Sequence, residues 1–130
     1  MTTITPYLTV HDAHAAIDFY ARAFGAVEVG ERDEEEGRVG FAALSIDGAP
    51  LFLSDEAHEY GAWAPAALGH ASGSVALTVA DVDAAYAQAV AAGATADREP
   101  SDQGDERRGW LVDPFGHRWV ISSPIGAPQP

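Results

Sequence analysis

One internal repeat constrains this chain more than any other feature of it. Residues 7–16 read YLTVHDAHAA and residues 76–85 read ALTVADVDAA. Leu8, Thr9, Val10, Asp12, Ala15 and Ala16 recur as Leu77, Thr78, Val79, Asp81, Ala84 and Ala85. After each copy comes a helical stretch that ends in Gly-Ala, at Gly25-Ala26 and again at Gly93-Ala94. A duplication inside 130 residues makes two modules, each too small to bury a good core alone. They are expected to pack on each other, with a partner chain completing the sheet.

Each copy opens on an alternating strand, with Leu8 and Val10 on one side and Tyr7 and Thr9 on the other. Leu77 and Val79 oppose Ala76 and Thr78 in the same way. Asp12 and Asp81 then stand where a helix begins, able to accept from the unpaired amides of its first turn. Ile17, Tyr20 and Phe24 form an apolar stripe at helical spacing, as do Val82, Tyr86 and Val90. Gly25 and Gly93 suit the left-handed helix end. Strand candidates follow near 27–32, 39–46 and 50–54, then near 95–99, 109–113 and 117–122. The halves therefore read as two βαβββ modules, at about 3–55 and 73–123. A connecting loop at about 56–72, with one short helical turn, joins them, and a tail at 124–130 is expected to fray. The acidic run ERDEEEGR at 31–38 reads as a solvated hairpin end.

Three segments, YLTVHDAHAAIDFYARAFGA, VALTVADVDAAYAQAVAAGA and VDPFGHRWVI, resemble the vicinal oxygen chelate superfamily. That superfamily includes glyoxalase I, bleomycin-resistance proteins, fosfomycin-resistance enzymes and extradiol dioxygenases. The resemblance spans about residues 4–123. It implies an α+β fold in which two tandem βαβββ modules form a cupped, eight-stranded mixed sheet. Helices lie on the convex face, the ligand sits in the cup, and the chain is a homodimer.

Metal-dependent members of that superfamily place ligands on the first and last strands of each module. The matching positions here are Thr5, Phe52, Ser74 and Val120. Phenylalanine and valine have no donor atom, and hydroxyls are poor ligands for a divalent transition metal. No metal and no cofactor are therefore expected. His117, in DPFGHRW, alternates with Trp119 and Ile121 rather than with Arg118 and Val120, so that segment reads as a turn between strands. His11 and His14 read as solvated. His58, near Asp55, Glu56 and Glu59, offers only weak evidence of a loop metal site, and His70 lies further along the same loop.

Aromatic side chains dominate the candidate pocket. Alternation points Tyr7, Phe52 and Phe41 into the cup, with Ser74 among the small polar partners. Tyr60 and Trp63 stand on the loop expected to border its mouth. Trp110 belongs to the same set, although alternation leaves its face open. Phe19, Tyr20, Phe24, Tyr86 and Trp119 are assigned to the core. Such a pocket suits a flat, largely apolar ligand, and Asp55 and Glu56 near its mouth would favour a cationic group on that ligand.

Composition removes several other functions. Twenty acids against seven bases give a formal charge of −13, which repels nucleic acid. With no cysteine, disulfides, thiolate metal sites and cysteine nucleophiles are excluded. No apolar run approaches the ~20 residues of a membrane helix, and no secretion signal is visible, so the expected compartment is the cytoplasm. The leading expectation is a metal-independent protein that sequesters an aromatic antibiotic or metabolite without turnover. Its alternative is a glyoxalase-type metal-dependent lyase, isomerase or dioxygenase.

Overall fold

A computed structural model describes residues 2–125. Its elements run β1 (Tyr7–Val10), α1 (Ala13–Phe24), β2 (Val27–Glu28), β3 (Asp33–Glu35), β4 (Arg38–Ile46) and β5 (Ala49–Asp55). The linker holds a single 3-10 turn (His58–Tyr60) and the short helix α2 (Pro65–Leu68). The second half comprises β6 (Ser74–Thr78), α3 (Val82–Ala92), β7 (Thr95–Gln103), β8 (Glu106–Val112) and β9 (Arg118–Pro124). The fold is α+β, built from two modules of the expected order.

Each module forms its own mixed sheet. The first has the order β1-β5-β4-β2, with β3 pairing β4 off that path, and the second has the order β6-β9-β8-β7. In each sheet the first strand lies parallel to the last, so Tyr7 pairs Phe52 and Ala76 pairs Val120. These two pairs occupy equivalent places, and the repeat seen in sequence is thus a repeat in register.

The helices begin and end as their sequences dictate. Asp12 accepts from the Ala15 amide at 3.1 Å, and Asp81 accepts from the Ala84 amide at 3.1 Å. Gly25 closes α1 at φ 71°, a conformation that costs glycine nothing. Along α1 the buried residues are Ala13, Ala16, Phe19, Tyr20 and Ala23; along α3 they are Val82, Tyr86 and Ala89. Val90, expected in that second stripe, is exposed, and the smaller Ala89 takes the core position.

The two helices pack against each other and against their own sheets. One core runs through both modules, from Leu8, Val10 and Leu53 to Leu111, Trp119 and Ile121. Phe24 lies 4.6 Å from the Trp119 ring, and Phe19 lies 6.0 Å from that of Phe115. Phe19, Tyr20, Tyr86 and Trp119 are buried in that core and Phe24 packs against it.

Three details depart from the expected map. The acidic segment contains a short strand, β3, whose side chains are all exposed; it is held by backbone pairing to β4 with a bulge opposite Asp33/Glu34. The linker has two helical turns rather than one. Pro124 still belongs to β9, and the Ile125 amide donates to Asp105, so the chain is ordered past the start of the expected tail. The rest of that tail, 126–130, lies outside the described residues.

Candidate ligand-binding face

Because one face of each sheet is covered by helices, the other face is left for function. On the first sheet the helix side takes Leu8, Val10, Leu44, Leu51 and Leu53, all buried. The outer side takes Tyr7, Phe41 and Phe52, which meet edge to face at ring distances of 4.9–6.0 Å. Tyr7 is 52% exposed, and its hydroxyl donates to the Gly40 carbonyl at 3.0 Å. The three aromatics form a half-open apolar floor.

The second sheet places Trp110 on the same kind of face. Neighbouring Gly109 is buried under Tyr86, where an added Cβ would lie 2.9 Å from that ring, so Trp110 points the other way. Its face is shared by Val120, directly opposite on β9, and by Arg98, directly opposite on β7. The Arg118 guanidinium lies 4.9 Å from the Trp110 ring centroid and donates to Ser74 Oγ at 3.3 Å. A cleft of about 270 Å³ is lined by Tyr7, Ser74 and Arg118 together, so β1 and β6 adjoin there. Arg118 also borders a second cleft of about 530 Å³ with His70, Val112 and Phe115.

Of the site residues expected from sequence, the structure thus groups Tyr7, Phe41 and Phe52, and brings Ser74 and Trp110 to a shared arginine. Tyr60 and Trp63 have no ring contact with either group among the described residues. Tyr60 lines a cleft of about 330 Å³ with Asp33, Glu35 and Glu59. Trp63 stacks on His58 at 3.6 Å with the rings 6° from parallel.

The acids expected to attract a cation also hold the backbone. Asp55 accepts from the Ala13 amide and the Val39 amide, both at 2.8 Å. Glu56 accepts from the Ala64 amide at 2.9 Å and pairs with His58. Those two contacts, the amide first, hold its carboxyl below the usual glutamate value. Arg118 was missed in sequence as a site residue. Its signal was available, since it shares parity with Val120 on the last strand.

The DPFGHRW turn proves to be the joint between modules. Asp113, 3% exposed, accepts four hydrogen bonds: from Tyr20 Oη (2.5 Å), Trp119 Nε1 (2.9 Å), and the amides of Phe115 (2.9 Å) and His117 (3.0 Å). Burial first, and the Asp113 carboxylate next, push the Tyr20 phenol well above its ordinary value. Gly116 turns the chain at φ +88°, so close to the linker that a Cβ there would lie 2.8 Å from Pro65. His117 Nε2–H donates to the Thr9 carbonyl at 2.8 Å, a second tie from this turn to the first module.

The family model of the Glyoxalase/Bleomycin resistance protein/Dioxygenase superfamily matches residues 2–121. The chain belongs to that superfamily. An uncharacterized protein of Mycobacterium bovis is 41% identical over 127 residues, covering 94% of this chain and 83% of its own length. One from Mycobacterium tuberculosis is equally similar, with 74% of its length covered. Among solved structures, TioX from Micromonospora sp. ML1 superposes with a TM-score of 0.74 at 23% identity, covering 96% of this chain and all of TioX. A glyoxalase/bleomycin resistance protein/dioxygenase from Nocardioides gives 0.68 at 24%, covering 100% and 87% of the two chains. At these identities the likeness concerns the fold.

Metal-dependent members of the superfamily need donors that this chain does not offer at the matching places. Phe52 and Val120 occupy equivalent register positions opposite Tyr7 and Ala76, and neither has a donor atom. Ser74 Oγ is already bonded to the cationic Arg118, an unfavourable neighbour for a divalent ion. Among the described residues no three of His, Cys, Asp and Glu gather in a group that could hold a metal ion. The residues present do not fit the metal. Also among the described residues, no helix is long and apolar enough to cross a membrane.

Proposed function

We infer that this superfamily member is a metal-independent receptor that sequesters a flat aromatic small molecule, of antibiotic or metabolite type, without chemical turnover. The observation behind this reading is the composition of the outer faces. Positions where metal-using relatives need donors hold Phe52 and Val120, while Tyr7, Phe41, Phe52 and Trp110 supply ring surface. Ring surface with a few polar groups suits a ligand held by stacking.

The working form is read as a cytoplasmic homodimer. What supports the dimer is the edge strand β2 with the residue that follows it, where Val27 and Val29 are 61% and 53% exposed; a second copy would cover such an edge.

Fluorescence titration of chelator-stripped protein with a panel of aromatic antibiotics tests the receptor reading, in parallel with calorimetry against Zn²⁺, Ni²⁺ and Mn²⁺. Saturable quenching without metal is expected. Trp110→Ala should weaken it by about 1–3 kcal/mol, the range of a buried aromatic anchor, whereas Trp63→Ala should leave it unchanged. Tight binding of one metal ion per chain would overturn the reading in favour of a metal-dependent enzyme.

A further inference from the structure

The outer face of the second sheet concentrates positive charge in a chain that is otherwise strongly acidic. Three of the seven basic residues, all arginines, surround Trp110 on three sides. Arg98 is its direct partner on β7, Arg108 is its same-face neighbour two residues back on β8, and Arg118 stands diagonally across on β9. Arg98 has no ion pair among the described residues. Arg108 pairs with Glu106 at 2.7 Å. Arg118 comes within 3.9 Å of Asp97, too far for a good hydrogen bond. The local sum of these five groups is positive, +3 from Arg98, Arg108 and Arg118 against −2 from Glu106 and Asp97, in a chain of formal charge −13.

The geometry of Arg118 matters as much as its charge. Its guanidinium lies over the Trp110 ring, and this fixes the plane of the fork. Within the described residues one edge is engaged, by Ser74 Oγ, and two clefts open beside it, one shared with Tyr7 and one with His70 and Phe115. An oriented guanidinium with N–H groups still to place is built to take a planar anion in two parallel hydrogen bonds. Tyr7, which meets Phe41 and Phe52 edge to face, lines the shared cleft.

Resting on the receptor reading above, we propose that the ligand is an aromatic carboxylate. Its acid group is seated on Arg118 beside Trp110, with Arg98 and Arg108 adding to the field. This ligand class differs from the cationic one that the acidic composition favours: Asp55 and Glu56 line clefts that include neither Trp110 nor Arg118.

The test uses three probes with one ring system and different charge: 2-naphthoate, 2-naphthamide and 2-naphthylmethylammonium. Each is titrated calorimetrically into the wild-type protein and into Arg118→Gln and Arg98→Gln, whose folding is checked by thermal melts. Arg98, exposed and without an ion pair among the described residues, serves as the variant that folds whatever Arg118 does structurally. Naphthoate should bind the wild type about fivefold or more tighter than the other two, as expected for a half-exposed charge-assisted pair. Arg118→Gln should abolish that preference, and Arg98→Gln should reduce it. Equal binding of all three probes, or a preference for the ammonium, overturns the anion assignment and leaves the receptor reading standing. A preference for naphthoate that survives in both variants overturns the assignment to these arginines. Failure of every probe to bind at millimolar concentration removes the receptor reading and this one with it.

Discussion

Tyr20→Phe removes a single oxygen from the joint between the two modules. Tyr20 lies on α1 and Asp113 lies just after β8, 93 positions apart, yet they share a buried 2.5 Å hydrogen bond. Asp113 keeps three other donors in the variant, from Trp119, Phe115 and His117, so the carboxylate is not stranded. The loss is then that of one hydrogen bond to a charged group, about 1.5–3 kcal/mol. For a chain of this size that lowers the melting temperature by roughly 5–15 °C. Differential scanning calorimetry at pH 8 reads the shift directly, and an unchanged melting temperature would refute the role given to the bond.

The same variant makes a sharper demand on pH. Burial and the neighbouring carboxylate raise the Tyr20 phenol in the folded chain, while in the unfolded chain it titrates near the ordinary value of about 10. The proton is therefore held more tightly by the folded state. Below pH ~10 both states keep it, and the wild type enjoys the full stabilisation. Above pH ~10 only the unfolded wild type ionises at this position, so its advantage falls by up to ~1.4 kcal/mol for each pH unit. Tyr20→Phe lacks the group and escapes that term. The stability gap between the two proteins should thus be constant from pH 7 to 9 and close as pH climbs past 10. Urea melts of both proteins across this range provide the test; a gap that stays flat or widens would show that the phenol is not held neutral as described.

Three other perturbations follow from the same packing. Gly109→Ala would put a Cβ 2.9 Å from the Tyr86 ring and 3.1 Å from Pro100; overpacking of about 1–3 kcal/mol should lower the urea midpoint. Asp12→Ala and Asp81→Ala each remove a helix cap and should cost about 0.5–2 kcal/mol apiece, with similar values because the caps are repeats of each other. Asp113→Ala strands four donors at about 1–3 kcal/mol each, which approaches the whole stability of a typical domain; circular dichroism should show little folded protein.

What could be read from sequence was whatever leaves a local period or a local cap. The βαβββ order, both capping aspartates and the outward set Tyr7, Phe41 and Phe52 all belong to that kind. β3 could not be read this way, because Asp33, Glu34 and Glu35 carry no apolar alternation and are exposed while their backbone pairs with β4. The face of Trp110 was undecidable for a related reason. Arg107 reaches Asp83 on α3 while Arg108 takes the outer side, so β8 has an arginine on both faces and its polarity does not alternate. Trp63 and Tyr60 stand on a linker whose course is set by remote contacts, such as Pro65 against Gly116. Asp113 was legible as a turn residue, but its bond to Tyr20 depends on how the modules dock, which no local pattern encodes.

The repeat also explains why the two outer faces should do different work. Duplication makes Tyr7 equivalent to Ala76 and Phe52 equivalent to Val120, each pair at the same register in its own sheet. Where the first module has large rings, the second has small and branched side chains. The space this leaves over β6 and β9 lies beside Trp110 and the Arg118 guanidinium. A ligand lying across the seam then meets rings alone at one end and an oriented cation at the other. Such a surface distinguishes the two ends of its ligand, which two identical halves could not do, and an acid group at one end of a flat ring system matches that polarity. The scaffold is duplicated, and under the proposed receptor function the chemistry that selects the ligand would lie in the positions where the copies differ.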